Sequence, residues 1–134
     1  MNKAVILPLY KAPHFAEQVT DWIWQAFGEG LPRAFFHSIV EHSQTPGALP
    51  LTFIAVDGEQ LLGTVGLWRC DLITRQDLCP WLAALYVDDA ARGKGLAGQL
   101  QQHVIAYAAQ SGYEELHLVC LPRLLRTLRL AVYR

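Results

Sequence analysis

The chain has few of the features that mark several classes of protein. Its three cysteines are an odd number without CxxC spacing, which argues against a disulfide framework and against a zinc site. No apolar run approaches the ~18 to 20 residues that span a bilayer, and the run from Ala4 to Leu9 is too short for a secretion signal. The net charge of -1 gives no indication of binding to nucleic acid or to acidic membranes. We therefore expect a soluble, cytoplasmic protein without a metal site.

The residues that are present indicate one compact domain. The 134 residues are 52% hydrophobic and 17% charged, which is too apolar for a disordered chain and sufficient for one core of ordinary size. The charge is unevenly distributed, since residues 1–120 carry 7 basic and 12 acidic side chains, whereas residues 121–134 carry 4 arginines and no acid. We therefore interpret 1–120 as the domain and 121–134 as an atypical basic, leucine-rich tail.

Hydrophobic periodicity predicts both strands and helices. β-Branched and aromatic runs are typical of strands, and apolar residues at three- and four-residue spacing are typical of helices. The predicted strands cover 4–9, 51–56, 61–68, 80–87 and 115–120, and the predicted helices cover 13–27, 31–42 and 96–112. The segment 80–87 is apolar on both faces, as expected of a strand in the middle of a sheet. The predicted fold class is therefore α+β, in the order β-α-α-β-β-β-α-β.

The connection after the predicted central strand carries the clearest functional signal. The residues Arg92-Gly93-Lys94-Gly95-Leu96-Ala97 lead directly from this strand into a helix. The first N–H groups of a helix lack intrahelical acceptors, the helix dipole adds partial positive charge, and glycine lets a phosphate approach the backbone. Arg92 and Lys94 add full charges. We therefore expect a phosphate or pyrophosphate to bind here.

Other interpretations of this loop are less satisfactory. Two glycines by themselves are also compatible with an ordinary strand-to-helix turn whose basic side chains are solvated. A Walker A motif is absent, because Lys94 is followed by Gly95. The dinucleotide-binding fingerprint does not fit either, because four predicted strands precede the loop and no downstream acid ends a second strand.

The loop resembles the signature of a known family. Arg92 to Ala97 is similar to the R/Q-x-x-G-x-G/A signature of the GCN5-related N-acetyltransferases (GNAT), and Leu85-Tyr86-Val87 stands where that family's fourth strand ends. The element order is similar over 1–120. The resemblance implies a mixed, mainly antiparallel sheet flanked by helices. It also implies acetyl-CoA as the acetyl donor, with its pyrophosphate on the amides of 92–97 and its pantetheine pairing like an extra strand against 85–87. The implied cofactor-binding residues are Leu85, Tyr86, Val87, Arg92, Gly93, Lys94, Gly95, Leu96 and Ala97.

The resemblance further implies direct transfer of acetyl to an amine, carried by a small molecule or a peptide. A bulge in the fourth strand would aim a backbone N–H near Tyr86 or Val87 at the thioester oxygen. The amine must lose a proton, and the candidates for the base are Asp71, Asp77 and His117. Each of the three also has an ordinary structural interpretation, so the base stays unassigned. The alternative function is a catalytically silent acyl-CoA-binding or interaction module.

Four aromatic residues have two interpretations. They either line an acceptor pocket between the first two helices and the sheet or belong to the hydrophobic core. These residues are Trp22, Trp24, Phe35 and Phe36.

The tail departs from the family pattern. Family members continue with a helix carrying aromatic-Tyr-x-x-x-Gly-aromatic, whose Tyr protonates the departing thiolate, and with two further strands. In 121–134 the leucines instead follow the spacing of an amphipathic helix. A translational frameshift is the alternative, because synonymous codons for the tail, read one base later, encode CRDYYERFGWRYI, which contains the missing pattern. The sequence of the gene around the codon for Cys120 distinguishes the two.

An amphipathic helix in the tail could cover the sheet, whereas a frameshift would leave a truncated member of the family. We expect the usual last helix and two strands to be absent and the fifth strand to be an unprotected edge. An exposed edge and a leucine stripe favour a homodimer. Without the Tyr of the missing helix, acetyl-CoA binding should be retained at least in part and turnover should be weak.

Overall fold

The fold is an open six-stranded sheet with helices on both faces. A computed structural model describes residues 4–120 and 124–130, without the side chains of Cys120 and Leu124. The strands are β1 (Val5–Pro8), β2 (Leu51–Asp57), β3 (Gln60–Trp68), β4 (Trp81–Val87), β5 (Glu115–Cys120) and β6 (Leu124–Arg129), and the helices are α1 (Ala16–Phe27), α2 (Arg33–Glu41) and α3 (Leu96–Gln110). The strands follow one another across the sheet from β1 to β6. Only β4 and β5 are parallel among these neighbours.

The sheet buries a separate apolar core on each face, because the strands alternate their side chains between the two faces. On one face, α1 and α2 contribute residues at helical spacing, including Val19, Ile23, Phe36 and Val40. On the other face, α3 contributes Leu96, Leu100, Val104 and Ala108, again three or four residues apart. Neighbouring residues of β2 serve different cores, since Ile54 belongs to the first and Ala55 to the second.

The predicted class and the order of the first eight elements are confirmed. β4 is the fourth of six strands, as its apolar sequence predicted. The hairpin predicted around Asp57-Gly58 joins β2 to β3, with Asp57 paired to Gln60 across the turn. Helix α2 begins directly after Pro32, whose fixed φ is compatible with the start of a helix.

Two predictions for the tail are wrong over 124–129. These residues form a strand rather than a helix, and β6 pairs with β5 along its whole length, from Glu115 opposite Arg129 to Cys120 opposite Leu124. On this side the edge of the sheet is therefore β6, and β5 is not the unprotected edge that we expected. Pairing gives the backbone N–H and C=O groups of β5 partners that a helix would have left unsatisfied.

The rest of the tail leaves one prediction open. Residues 121–123 and 131–134 lie outside the described part of the chain, and with them Leu121 and Val132 of the proposed leucine stripe. The frameshift hypothesis stays a prediction that the gene sequence tests.

Candidate functional site

The strands β4 and β5 separate almost as soon as they meet. In the described part of the chain a single residue pair, Trp81 with His117, joins them, and the amide of His117 donates to the carbonyl of Pro80 over 3.1 Å. On its other side β4 stays paired with β3 from Trp81 to Val87. A wedge-shaped gap therefore opens between β4 and β5 towards their carboxyl ends. We call it the β4–β5 wedge.

A β-bulge interrupts β4 beside the wedge. Ala84 and Leu85 together oppose the single residue Val65 of β3. Ala84 has φ +51, in the left-handed region that non-glycine residues rarely adopt. The bulge re-aims the peptide groups of β4 at this point. It immediately precedes Tyr86 and Val87, the residues near which the resemblance implies an oxyanion donor.

The peptide group of Val87 faces the wedge. The amide of Asp88 donates to the carbonyl of Leu62 on β3 over 2.8 Å. In an antiparallel ladder successive residues direct their hydrogen-bonding groups to opposite sides, so the N–H and C=O of Val87 point away from β3. The carbonyl accepts a hydrogen bond of 2.8 Å from Nε of Arg92. The N–H is left facing the gap.

The loop after β4 presents backbone N–H groups at the start of α3. Gly93 and Gly95 have φ of +81 and +79, and Gly95 is the N-cap residue. No side chain caps this end and no acid lies in the first turn, so the amides of 96–98 lack acceptors within the helix. An added Cβ at either glycine would meet nothing within 4 Å, so the space before these amides is open. Such a helix start suits an anion, and phosphate binding at this loop stays a prediction.

The two basic residues of the loop differ in their surroundings. Arg92 turns back to β4, where it donates to the Val87 carbonyl, pairs with Asp89 and lies 5.5 Å from the ring centroid of Tyr86. Its side chain therefore anchors the loop to β4. Lys94 is exposed and forms no ion pair with the residues that the structure describes.

Two clefts flank α3. The wider one, about 340 Å³, lies between the β2–β3 hairpin and the start of α3, and we call it the hairpin cleft. Its lining residues are Asp57, Gln60, Leu62, Ala90, Ala91, Lys94 and Leu96. The second, about 250 Å³, is lined by Leu82, Gln101, Ile105, Leu118, Arg126 and Leu128. It follows the wedge on the face covered by α3, and four of its six lining side chains are aliphatic.

His117 lies at the closed end of the wedge. It is 3% exposed, its ring centroid is 5.6 Å from that of Trp81, and its Nδ1 is 2.9 Å from Oγ1 of Thr127. Within the described ranges Nε2 has no hydrogen-bond partner. This contact could not be predicted, because Thr127 belongs to β6, where the sequence indicated a helix.

The other two candidates for the base lie in the connection between β3 and β4, where both are exposed. Asp77 accepts two hydrogen bonds from Arg75, of 3.0 and 2.9 Å. These hydrogen bonds, with a smaller contribution from nearby His117, hold the pKa of Asp77 below its ordinary value of 3.8. A carboxylate stabilised in this way is a poor proton acceptor. The structure therefore brings Asp77 near His117 and leaves Asp71 in the same exposed connection.

The four aromatic residues divide between core and surface. Phe36 is buried in the core, whereas Trp24 and Phe35 are exposed. Trp22 is half-buried and meets Tyr86 edge to face, with 5.3 Å between ring centroids. Trp22 and Tyr86 therefore form an aromatic wall beside the wedge, on the face covered by α1 and α2.

The described residues contain neither a cluster of metal ligands nor a membrane-spanning helix. No three His, Cys, Asp or Glu side chains in that part of the chain are grouped to hold a metal ion. No helix in the described ranges is both long and apolar enough to cross a bilayer.

Solved acetyltransferases share this fold. The aminoglycoside N-acetyltransferase AAC(6')-Iy in complex with CoA superposes with a TM-score of 0.69 at 20% identity, covering 98% of this chain and 93% of that one. The GNAT family N-acetyltransferase YhbS of Escherichia coli, in complex with CoA, gives 0.66 at 26% identity, covering 89% and 63%. An aminoglycoside 6'-N-acetyltransferase complexed with coenzyme A gives 0.66 at 20% identity, covering 85% and 60%. The chain thus spans less than two thirds of the length of the last two.

Comparison by sequence identifies the family of the chain. No curated protein is a significant match by sequence. The sequence model of the acetyltransferase (GNAT) family matches residues 16–131, a range that includes the wedge, the glycine loop and β6. Because this match covers most of the chain, the protein belongs to the acetyltransferase (GNAT) family.

Proposed function

We propose that this protein is an acetyl-CoA-dependent N-acetyltransferase that transfers the acetyl group directly to an amine. The observation that carries the proposal is the β4–β5 wedge, which opens beside the uncapped start of α3. An amide-bearing pantetheine arm would pair with the peptide group of Val87, and the pyrophosphate would meet the amides of 93–98. Solved proteins with this fold are complexed with coenzyme A, which supports acetyl-CoA as the acetyl donor.

In the proposed reaction the amine nitrogen forms a bond to the thioester carbon, and the bond from that carbon to sulfur breaks. The proton of the nitrogen passes to a base, and the departing CoA thiolate takes a proton from solvent. Negative charge develops on the thioester oxygen, so a peptide N–H re-aimed by the bulge at Ala84 and Leu85 would stabilise it.

We assign the base to His117. When its Nδ1 donates a proton to Oγ1 of Thr127, the lone pair of Nε2 is free to accept one from the amine. The nearby carboxylate of Asp77 would stabilise the imidazolium that results. His117 lies at the closed end of the wedge, towards which the thioester of a bound pantetheine arm would point.

The proposed acceptor is a small-molecule or peptide amine, and the negative charge of the domain favours a cationic one. Residues 1–120 carry a net charge of 7 minus 12, or -5, which attracts a cationic acceptor to the domain. Two solved relatives of the fold are named as aminoglycoside N-acetyltransferases, and aminoglycosides are polyamines. The aromatic wall of Trp22 and Tyr86 would contact the acceptor.

Calorimetry with CoA, followed by thiol release from acetyl-CoA with a panel of amines, tests the proposal. The panel should contain aminoglycosides, linear polyamines and peptides with a free N-terminus. Release that depends on the amine supports the enzyme. Binding of CoA without release supports the alternative of a silent acyl-CoA-binding module, and the absence of CoA binding contradicts both.

The role of His117 has a matched control in His103, which lies on α3 at the other face of the sheet. His117→Gln should lower kcat about 10²- to 10⁴-fold, the usual contribution of a general base, and should leave CoA affinity unchanged. His103→Gln should leave kcat unchanged. Equal kcat values for the two variants would contradict the assignment, and retained CoA binding shows that each variant is folded.

A further inference from the structure

Two cysteines flank the connection between β3 and β4. The strand pair nearest to this connection joins Trp68 to Trp81. Cys70 lies two residues beyond Trp68, and Cys79 lies two residues before Trp81. Opposite Cα atoms of antiparallel strands are about 4.5 to 5.5 Å apart, and a disulfide usually joins Cα atoms roughly 4.4 to 6.8 Å apart. The register therefore brings the two cysteines close together at the base of the connection.

The surroundings of the two thiols agree with this proximity. Partial burial raises the pKa of the Cys79 thiol above its ordinary value of 9.0, Arg69 lowers it by a smaller amount, and Cys70 raises it slightly. An electrostatic effect of one thiol on the other requires the two sulfur atoms to be near each other. Cys70 is half-buried, and its Sγ donates to the carbonyl of Leu72 over 3.3 Å, whereas Cys79 is exposed. A reagent in solution would therefore reach Cys79 first.

We propose that Cys70 and Cys79 form a reversible disulfide by exchange with a low-molecular-weight disulfide such as oxidised glutathione. The Cys79 thiolate would attack one sulfur of the small disulfide, break its S–S bond and release one small thiol. The Cys70 thiolate would then attack the Cys79 sulfur of the mixed disulfide and release the second small thiol. Two protein thiols are thereby oxidised, the small disulfide is reduced to two thiols, and the protons of the cysteines pass to those thiols.

The bond would fix the connection at the closed end of the wedge. It would end one residue before Pro80, whose carbonyl accepts a hydrogen bond from the amide of His117. Inside the connection, the amides of Arg75 and Leu78 donate to backbone carbonyls over 2.9 and 3.3 Å. A covalent closure restricts the local opening that breaks such hydrogen bonds. We therefore expect the bond to slow hydrogen exchange of these amides.

Mass spectrometry of the whole chain after incubation with oxidised glutathione tests the inference. The unaltered protein should lose the mass of two hydrogen atoms, and peptide mapping should link Cys70 to Cys79 within one chain. Excess reduced glutathione should reverse the change. Cys70→Ser should stop at the mixed disulfide and retain one glutathionyl group on Cys79. Cys120→Ser is the matched control, because it removes the third cysteine of the chain and should form the bond as the unaltered protein does.

Amide hydrogen exchange measures the structural effect of the bond. The amides of Arg75, Leu78 and His117 should exchange several-fold more slowly in the oxidised protein than in the reduced one. The same oxidant should not slow them in Cys70→Ser. A bond to Cys120, a bond between two chains, no bond, or a bond with unchanged exchange would each overturn the inference. These measurements need neither CoA nor turnover, so their failure would leave the proposed function standing.

Discussion

The two sides of β4 differ sharply although they belong to one strand. Towards β3 the strand is paired along its whole length, interrupted by one bulge, whereas towards β5 it has the single pair of Trp81 and His117. The paired side satisfies the backbone groups and continues the sheet. The unpaired side leaves the peptide group of Val87 facing a gap. One side of β4 thus stabilises the sheet, and the other is the side that we propose for ligand binding.

The closed end of the wedge shows how the opening is limited. Trp81 is fully buried there, and its Nε1 donates to the carbonyl of Leu78 over 2.7 Å. His117 packs against Trp81 and forms a hydrogen bond with Thr127 of β6. This small group of side chains holds β4 and β5 together at one end, so that they can separate at the other without losing the sheet.

The largest predicted effect follows from breaking this closed end. Trp81→Ala removes a fully buried indole and should lower the free energy of unfolding by about 3–5 kcal/mol. Trp24→Ala is the matched control, because Trp24 is 37% exposed, and it should cost about 1 kcal/mol. Urea unfolding measures both. Similar losses for the two variants would show that Trp81 does not hold the strands together.

A smaller effect is expected at the open end, where the loop enters α3. Gly95→Ala forces a residue with a Cβ to adopt φ +79 and should lower the free energy of unfolding by about 1–2 kcal/mol. Gly98→Ala lies in the first turn of α3, has space for a methyl group, and should raise it by about 0.5–1 kcal/mol. Thermal unfolding distinguishes the two. Changes of the same sign would contradict this account of the loop.

The smallest predicted effect concerns His103 of α3, which packs on the paired part of the sheet. Burial lowers the pKa of His103 below its ordinary value of 6.5, and its ring lies 4.9 Å from that of Phe53 on β2. The unfolded chain therefore binds a proton more readily, so stability should fall as the pH drops below 6.5 and continue to fall until the folded state also protonates. His103→Gln should reduce this loss. Urea unfolding at several pH values measures it, and an unchanged pH dependence would refute it.

The sequence predicted most of the fold because its local signals agree with the tertiary structure. α3 is the clearest case, since Leu96, Leu100 and Val104 are spaced for one helical face and all three are buried. The tail is the opposite case. Its leucines also fit a helix, but β5 offered unpaired backbone groups, and pairing with them determined the structure of 124–129.

The candidate site was predictable only where it is continuous in sequence. The glycine loop could be found because Gly93, Gly95 and the start of α3 are adjacent. A bulge in the fourth strand was expected only from the family resemblance, because no residue type marks its position at Ala84. Thr127 also carried no signal, since it reaches His117 only because β6 pairs with β5. The same holds for Asp57, which reaches the hairpin cleft only because β2 pairs with β3.

By itself, then, the sequence determined the class of fold, the apolar faces of its helices and the loop whose backbone suits a phosphate. These are local properties, set by spacing and by the conformations that glycine permits. Only the tertiary structure decided that β4 and β5 part after one residue pair, that β6 covers β5, and that Asp57, Gln60 and Lys94 share a cleft. Those arrangements depend on which strands pair and in what register, and pairing between distant segments is fixed by packing of the whole chain.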